Sequence, residues 1–203
     1  MKLYIARHAE TEWNALRRTQ GMTDIDLNDR GRVQADALAR KALCIKPEHI
    51  YSSPLKRAYN TACPAAKALG IDIKTDADII EYNFGAWEGK TLDEIRRTYP
   101  GQLERYDNDP LTAGIDGAEP FSALRERCKR FLNKMIDTHA KDTVLVITHS
   151  LIAKLIVAWV MKRPDSEARL IRLDNASITL IEYDGDELAL AFSNDISHLE
   201  EIV

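Results

Sequence analysis

Residues 143–148 restrict the possible folds of this chain more than any other segment. They read Thr-Val-Leu-Val-Ile-Thr, a nearly continuous run of apolar and β-branched side chains. Such a run is typical of a strand that is buried on both faces of a parallel sheet. Parallel strands need crossover connections, which are usually helices, and helical patterns separate the strand-like segments here. We therefore predict an α/β fold, a three-layer sandwich whose mostly parallel central sheet has helices on both faces.

Two helices are predicted in the first third of the chain. Asn28 can cap a helix whose apolar face comprises Val33, Ala35, Leu38, Ala42 and Leu43. After a predicted strand at His49–Ser52, Ser53 and Pro54 have the residue types that open a helix as N-cap and first helical residue. Pro64 should kink or divide this second helix, and Gly70 should end it.

The remaining segments complete the predicted architecture. Residues 71–74 and 78–85 are expected to be extended, and the capping box at Thr91–Glu94 should start a short helix. The turn-rich residues 107–120 suggest a partial lid at about 87–120. A helix is predicted at Phe121–Thr138, a second at Leu151–Met161, and a hairpin from Ser177–Tyr183 and Leu188–Ser193.

Composition restricts the functional class. The 203 residues are most economically one domain, 1–203, and the net charge of −4 argues against nucleic acid as a partner. No apolar run approaches the ~18 residues of a membrane helix. The three cysteines fit neither a disulfide framework nor a zinc knuckle. We expect no signal peptide, no membrane partner and a cytoplasmic location.

Polar residues follow two of the predicted strands directly. Arg7 and His8 come after the apolar run at residues 3–6, and His149 comes after residues 143–148. Right-handed crossovers bring such strand ends to one edge of the sheet, where open α/β sheets bind ligands. An arginine fork suits phosphate oxygens, and a neutral imidazole can act as a nucleophile. Two histidines at one edge can therefore flank a single phosphate.

Two further residues are candidates on weaker grounds. Arg57 falls in the first turn of a predicted helix, where backbone amides also favour anions, although an exposed arginine there is common. Glu81 follows two isoleucines, so burial can raise its pKa towards the range useful in acid–base catalysis. From composition alone, Glu81 is equally compatible with a solvated strand edge.

Together these residues form a recognisable set of motifs. Arg7-His8, Ser53-x-x-x-Arg57-Ala58, Glu81 followed by Gly85-Ala86-Trp87-Glu88-Gly89, and His149 resemble the histidine phosphatase superfamily, which is also called phosphoglycerate mutase-like. The short Gly-x-Trp-Glu-Gly form resembles its phosphatase branch, which includes broad-specificity, phosphoglycerate-type and α-ribazole-5′-phosphate phosphatases. The resemblance extends from Leu3 to about His198.

The resemblance implies a metal-independent hydrolase of a small phosphorylated metabolite, with no cofactor. His8 would accept the phosphoryl group as a phosphohistidine, while Arg7, Arg57, His149 and Asn14 would hold the phosphate oxygens. Glu81 would protonate the leaving alcohol and then activate water. We expect four further residues to complete the phosphate site: Gln20, Gly21, Ser150 and Leu151.

Three positions depart from the family pattern. Ala9 and Ser150 stand where the family has glycine after each histidine, and Lys154 stands where many relatives carry arginine. Glycine lets the backbone approach phosphate closely, so a tighter or slower pocket is expected. Two alternatives remain at this point, namely a phosphoglycerate mutase-type phosphotransferase and a non-catalytic phosphate-ligand or protein-binding module. A monomer and a homodimer are equally compatible with the sequence.

Overall fold

A six-stranded sheet forms the centre of the computed structural model, which describes residues 1–110 and 114–202. Its strands are β1 (Lys2–Arg7), β2 (His49–Ser52), β3 (Ile73–Thr75), β4 (Thr143–Thr148), β5 (Ile178–Tyr183) and β6 (Leu188–Asp195), in the spatial order β3-β2-β4-β1-β5-β6. The pairs β1–β4, β2–β4 and β2–β3 are parallel, whereas β5 is antiparallel to β1 and β6. The predicted, mostly parallel sheet is confirmed.

Helices cover both faces of this sheet. Their bounds are α1 (Glu12–Ala15), α2 (Asp29–Ile45), α3 (Lys56–Leu69), α4 (Leu92–Thr98), α5 (Gln102–Asn108), α6 (Phe121–His139) and α7 (Ser150–Val160). Short 3₁₀ helices occupy Ala77–Ile79, Gly85–Trp87, Asp165–Leu170 and Ser197–Ile202. None of the helices in the described ranges is long and apolar enough to cross a membrane.

Strand β4 shows why its sequence is apolar throughout. Val144 and Val146 belong to a core shared with α6 and α7, whereas Leu145 and Ile147 belong to a second core shared with α2 and α3. Successive side chains of a strand point to opposite faces, so a strand between two helical layers needs apolar residues at every position. The three-layer arrangement is confirmed.

Helix α3 differs from its prediction at both its start and its middle. It begins at Lys56 with Leu55 as N-cap, and neither Ser53 nor Pro54 is helical. Ser53 Oγ lies 2.7 Å from His149 Nε2 instead, so its hydroxyl serves a tertiary contact. The helix continues through Pro64 because four buried alanines on its inner face pack into the core, which offsets the lost backbone hydrogen bond. Gly70 ends it with φ = 68°, as predicted.

Other local predictions had mixed outcomes. Asn28 caps α2, as expected. Thr91 forms the expected capping box with Glu94 at the start of α4. Val33 and Leu43 were placed on the apolar face of α2, but they are 47% and 46% exposed, because the face of α2 that packs against α3 is narrower than predicted. Residues 77–79 and 85–87 are 3₁₀ helices and α5 was not predicted. Residues 111–113 of the predicted lid lie outside the described residues.

Candidate active site

The carboxyl ends of β1 and β4 bring the two predicted histidines together. Arg7 and Thr148 are in register at the end of this parallel pair, and His8 and His149 follow them. The His8 backbone N–H donates to the Thr148 carbonyl at 2.8 Å, which extends the pairing by one residue. The two imidazole centroids are 5.2 Å apart, and both rings are buried. Both histidines therefore lie at one edge of the sheet.

The His8 ring is held in one tautomer. Its Nδ1 lies 2.7 Å from the carbonyl oxygen of Ala9, and because a carbonyl only accepts, Nδ1 carries the proton. The lone pair is then on Nε2. Burial, together with the positive charges of Arg57 and Arg7, holds the pKa of His8 well below its ordinary value. The ring is consequently neutral at neutral pH, which is the form a nucleophile requires.

His149 is equally desolvated but has different partners. Its Nε2 lies 2.7 Å from Ser53 Oγ, while its buried Nδ1 has no hydrogen-bond partner among the described residues. Burial is the main cause of a pKa held well below the ordinary range, and Arg57 lowers it further. The unused Nδ1 is thus available to a ligand beside His8.

Two buried guanidinium groups supply positive charge at this edge. Arg7 donates from Nη1 to the Leu173 carbonyl at 2.8 Å, and Arg57, which is 0% exposed, donates to the carbonyls of Gly21 at 2.7 Å and Thr23 at 2.9 Å. The Nε atom of each is buried without a described partner. Burial lowers the pKa of both groups, and the Glu81 carboxylate opposes that effect. Their free donors suit an anion.

The loop that holds Arg57 is itself fixed by Glu88. The carboxylate accepts the backbone N–H groups of Met22 at 2.8 Å and Thr23 at 2.9 Å, and also the Thr23 hydroxyl. A Cβ on Gly21 would lie 2.7 Å from the backbone carbonyl oxygen of Tyr82, which cannot move aside as a side chain can, so only glycine fits there. Gly21 was predicted to bind phosphate. The structure places its carbonyl behind Arg57, so Gly21 positions the guanidinium.

Glu81 lies at the same edge and is only 5% exposed. The backbone N–H groups of Tyr82 and Leu151 donate to its two oxygens at 3.0 Å and 3.3 Å. Burial raises its pKa, although these hydrogen bonds and the charge of Arg57 act in the opposite direction. A carboxyl group with a raised pKa can donate a proton near neutral pH.

Arg127 holds the Glu81 segment from behind, and sequence reasoning missed it. This arginine of α6 donates to the carbonyls of Asp78, Ile80 and Glu81, and forms a 3.0 Å ion pair with Glu119. Helical periodicity indicates only that the residue flanks the buried face. Its role depends on contacts nearly fifty residues away, so no local signal identifies it.

A cavity of about 300 Å³ opens at this edge, and Arg7, His8 and Glu81 are among the residues that line it. Four predicted phosphate-binding residues also line it: Asn14, Gln20, Ser150 and Leu151. Arg57, His149 and Gly21 are not among the residues that line it. Asn14 Oδ1 accepts from Thr11 and Asn175, and Gln20 Nε2 donates to Thr11 Oγ1 at 2.6 Å, so both are held in place.

The cavity wall also contains residues whose contribution was not predicted. Phe84, Tyr106 and Arg169 line it, as does Lys154, which the sequence marked only as a departure from the family pattern. Within the described part of the chain, Glu81 is the sole carboxylate among the lining residues, against four cationic side chains including Arg18. A cavity with one carboxylate and several fixed cations suits an anionic ligand and offers no set of metal ligands.

Ala9 does not occupy the cavity, contrary to the expectation that it tightens the pocket. Its side chain packs in a small apolar cluster with Leu27, Ala35 and Ala176, and its N–H donates to Thr61 Oγ1 at 3.0 Å. The methyl group therefore belongs to a small separate core and is not part of the cavity lining. Ser150, in contrast, does line the cavity.

Comparison with known proteins agrees with this arrangement. The family model described as histidine phosphatase superfamily (branch 1) matches residues 3–196. The chain is 33% identical to phosphoserine phosphatase 1 of Hydrogenobacter thermophilus, over 99% of this chain and 95% of that protein. It is also 33% identical to phosphoglycerate mutase-like protein 4 of Arabidopsis thaliana, over 98% of this chain and 87% of that protein. The solved structure of Bacillus stearothermophilus YhfR aligns with a TM-score of 0.91 at 32% identity, covering 98% and 99% of the two chains. The chain therefore belongs to the histidine phosphatase superfamily, branch 1.

Proposed function

We propose that this chain, a phosphoric monoester hydrolase, acts without a metal ion and through a phosphohistidine at His8. One observation carries the proposal, namely that the Ala9 carbonyl holds the proton on His8 Nδ1 and leaves the Nε2 lone pair on a neutral ring. A buried imidazole fixed in this tautomer beside two arginines and a carboxyl group with a raised pKa has the elements of phosphoryl transfer.

The reaction has two steps. In the first, His8 Nε2 attacks phosphorus, the bond to the alcohol oxygen breaks, and Glu81 gives its proton to that oxygen. In the second, Glu81 takes a proton from water, the water oxygen attacks the phosphohistidine, and phosphate leaves as His8 is restored. Arg7, Arg57 and His149, assisted by Asn14, stabilise the charge on the non-bridging oxygens in both transition states.

The cationic wall supports a substrate whose alcohol part carries a carboxylate. Lys154 and Arg169 line the cavity on the side of α7 and the following 3₁₀ helix, and no hydrogen bond or ion pair within the described residues occupies the Lys154 ammonium. Phosphoserine, the substrate in the name of one relative, has such a carboxylate. We also propose that residues 1–203 act as one domain, in which the lid segment contributes Tyr106 to the wall.

Trapping the intermediate tests the mechanism. Purified protein in EDTA is mixed briefly with ³²P-labelled substrate and quenched, and the phosphoryl group should be acid-labile, base-stable and attached to His8. His8→Ala should abolish the label and turnover. His198→Ala is the matched control, because His198 lies in the C-terminal segment and its hydrogen bond within the described residues is to the Ala176 carbonyl. Wild-type turnover in His8→Ala would refute the proposal.

Substrate recognition is tested with a matched pair of phosphomonoesters. Phosphoserine and phosphoethanolamine differ only in the carboxylate, so Lys154→Met should lower kcat/KM for phosphoserine about tenfold and leave phosphoethanolamine within about twofold. Lys162→Met, which removes an exposed lysine just beyond α7, should change neither. Equal losses for both substrates would mean that Lys154 acts on the phosphate.

Mutase activity is the second candidate, since one relative is named phosphoglycerate mutase-like. A mutase must keep water from the phosphohistidine and return the phosphoryl group to a second hydroxyl. Incubation with 3-phosphoglycerate followed by ³¹P NMR distinguishes the two outcomes: inorganic phosphate indicates hydrolysis, and 2-phosphoglycerate indicates transfer.

A further inference from the structure

Three potential metal ligands meet at the edge of the sheet opposite the active site. His49 is the first residue of β2, His139 is the last residue of α6, and Asp142 lies in the turn before β4. Their ligand atoms all lie within 4.8 Å of one another. Along β4 this edge is about 20 Å from His149, at roughly 3.3 Å per residue. The cluster is therefore separate from the phosphate site.

One carboxylate oxygen joins the two imidazole rings. Asp142 Oδ2 lies 2.8 Å from His139 Nδ1 and 3.2 Å from His49 Nε2, and the ring centroids are 4.2 Å apart. Ligand atoms of a tetrahedral site with bonds of about 2.0 Å lie about 3.3 Å apart. The two separations from the carboxylate oxygen are already close to this value, and the two ring nitrogens are within 4.8 Å of each other, so a cation needs only a small rearrangement of the side chains.

A second contact orients the buried ligand as metal sites require. Tyr51 Oη lies 3.0 Å from His139 Nε2 and fixes the ring so that Nδ1 faces Asp142. Residues that hydrogen-bond to the second ring nitrogen of a ligating histidine set the orientation of its ring. The hydroxyl can donate to Nε2 in the free protein and accept from it when Nδ1 binds a metal. Tyr51 is itself buried, so the orientation is rigid.

The charges and exposure of the cluster are also suitable. In the described ranges, the ion-pair partners of Asp142 are the two histidines, and no lysine or arginine competes for its carboxylate. The His49 and Asp142 side chains are 29% and 33% exposed, so water can complete the coordination sphere. Two imidazoles and one carboxylate suit zinc and its neighbours in the transition series better than magnesium or calcium.

We propose that His49, His139 and Asp142 form a binding site for a divalent transition-metal ion such as zinc. The bound ion links β2, α6 and β4 at the edge away from catalysis. The role is stabilisation, since the site is distant from every residue assigned to phosphoryl transfer.

Isothermal titration of EDTA-stripped protein with Zn²⁺, repeated with Co²⁺, tests the proposal. One high-affinity ion per chain is expected, and free Zn²⁺ at about 100 times its Kd should raise the Tm by about 5–10 °C. His49→Gln and Asp142→Asn should each weaken binding at least tenfold. Asp137→Asn is the matched control, since it removes an aspartate from the end of α6 outside the cluster, and it should leave binding within twofold.

Tyr51→Phe provides a second, conservative measure, because it removes only the hydroxyl and should weaken affinity about tenfold. The absence of saturable binding overturns the proposal. Binding that His49→Gln, Asp142→Asn and Tyr51→Phe all leave unchanged also overturns it, because the ion then occupies another site. Neither result affects the proposed phosphatase mechanism, whose assays are carried out in EDTA.

Discussion

Replacing Glu81 with glutamine should separate substrates by the quality of their leaving group. An alkyl alkoxide needs a proton as its bond to phosphorus breaks, whereas p-nitrophenolate leaves readily as an anion. General acid catalysis typically contributes 10²–10⁴-fold to a rate. Glu81→Gln should therefore slow phosphoryl transfer from an alkyl phosphate to His8 by about 10²-fold or more, and transfer from p-nitrophenyl phosphate by less than about threefold.

The structure indicates that this variant folds. Glutamine keeps one oxygen for the Tyr82 N–H, but its amide group meets the Leu151 N–H at the position of the second oxygen. Loss of that second hydrogen bond, which is long at 3.3 Å, should cost about 1–3 kcal/mol of unfolding free energy. Native proteins have about 5–15 kcal/mol of unfolding free energy, so the variant should stay folded. A 10²-fold kinetic loss, about 2.7 kcal/mol of activation free energy, then reports on the chemical step.

The measurement must isolate the first chemical step. Glu81 is also proposed to activate water in the second step, so steady-state rates combine both roles, whereas a rapid-quench burst reports only formation of the phosphohistidine. In the wild type, the alkyl-phosphate burst should fall as pH rises through the raised pKa of Glu81, because the acid form is lost, and the variant should lack this limb. Glu12→Gln, which changes an exposed glutamate of α1, is the control. Equal damage to both bursts would show that Glu81 only positions the substrate, and no damage would assign the acid elsewhere.

Three further predictions follow from the contacts around the arginines. Arg57→Ala should slow turnover at least tenfold and weaken inhibition by vanadate, because a donor to developing charge lowers the activation free energy by about 2.7–4 kcal/mol. Its control, Lys56→Ala on the exposed side of α3, should change turnover less than twofold. Glu88→Gln should lower the unfolding free energy by about 1–3 kcal/mol in urea titrations and also reduce kcat, since it loosens the Gly21–Thr23 carbonyls that hold Arg57. In ¹⁵N NMR titrations the His8 ring should stay neutral as pH falls through about 6.5. The pKa of His8 should rise in Arg57→Ala, because a neighbouring positive charge is lost. A His8 pKa that this substitution leaves unchanged would contradict the electrostatic argument.

The features predicted correctly from sequence are those that local pattern encodes. Residues 143–148 are apolar at every position because two helical layers cover them, and this pattern fixed both the sheet and the position of His149. Asn28, Gly70 and Thr91 act through the backbone of their own helix ends, so their effects are also local. The resemblance named Arg57 and Glu81, which composition had left undecided; the structure buries both at the site, and their catalytic roles stay predictions.

The features that were missed depend on contacts between distant segments. In the sequence, nothing distinguishes Arg127 from other polar residues of its helix. Its role depends on the backbone carbonyls of Asp78 and Glu81, which the fold brings against it. Ser53 has the residue type of an N-cap, but His149, nearly a hundred positions later, engages its hydroxyl. No local spacing marks the His49, His139 and Asp142 cluster for the same reason, because β2 lies about ninety residues before the other two ligands.

Ala9 is the position where structure most changes the interpretation of the sequence. Its methyl group packs against Leu27, Ala35 and Ala176, while its carbonyl fixes the His8 tautomer. Ala9→Gly should therefore leave kcat within twofold and destabilise the fold by about 1 kcal/mol through the lost methyl group and the greater backbone freedom of glycine. For a chain of this size the Tm should fall by about 2–4 °C. Ser150→Gly is the comparison, since Ser150 lines the cavity. A fivefold faster Ala9→Gly enzyme would show that the methyl group crowds the phosphate after all.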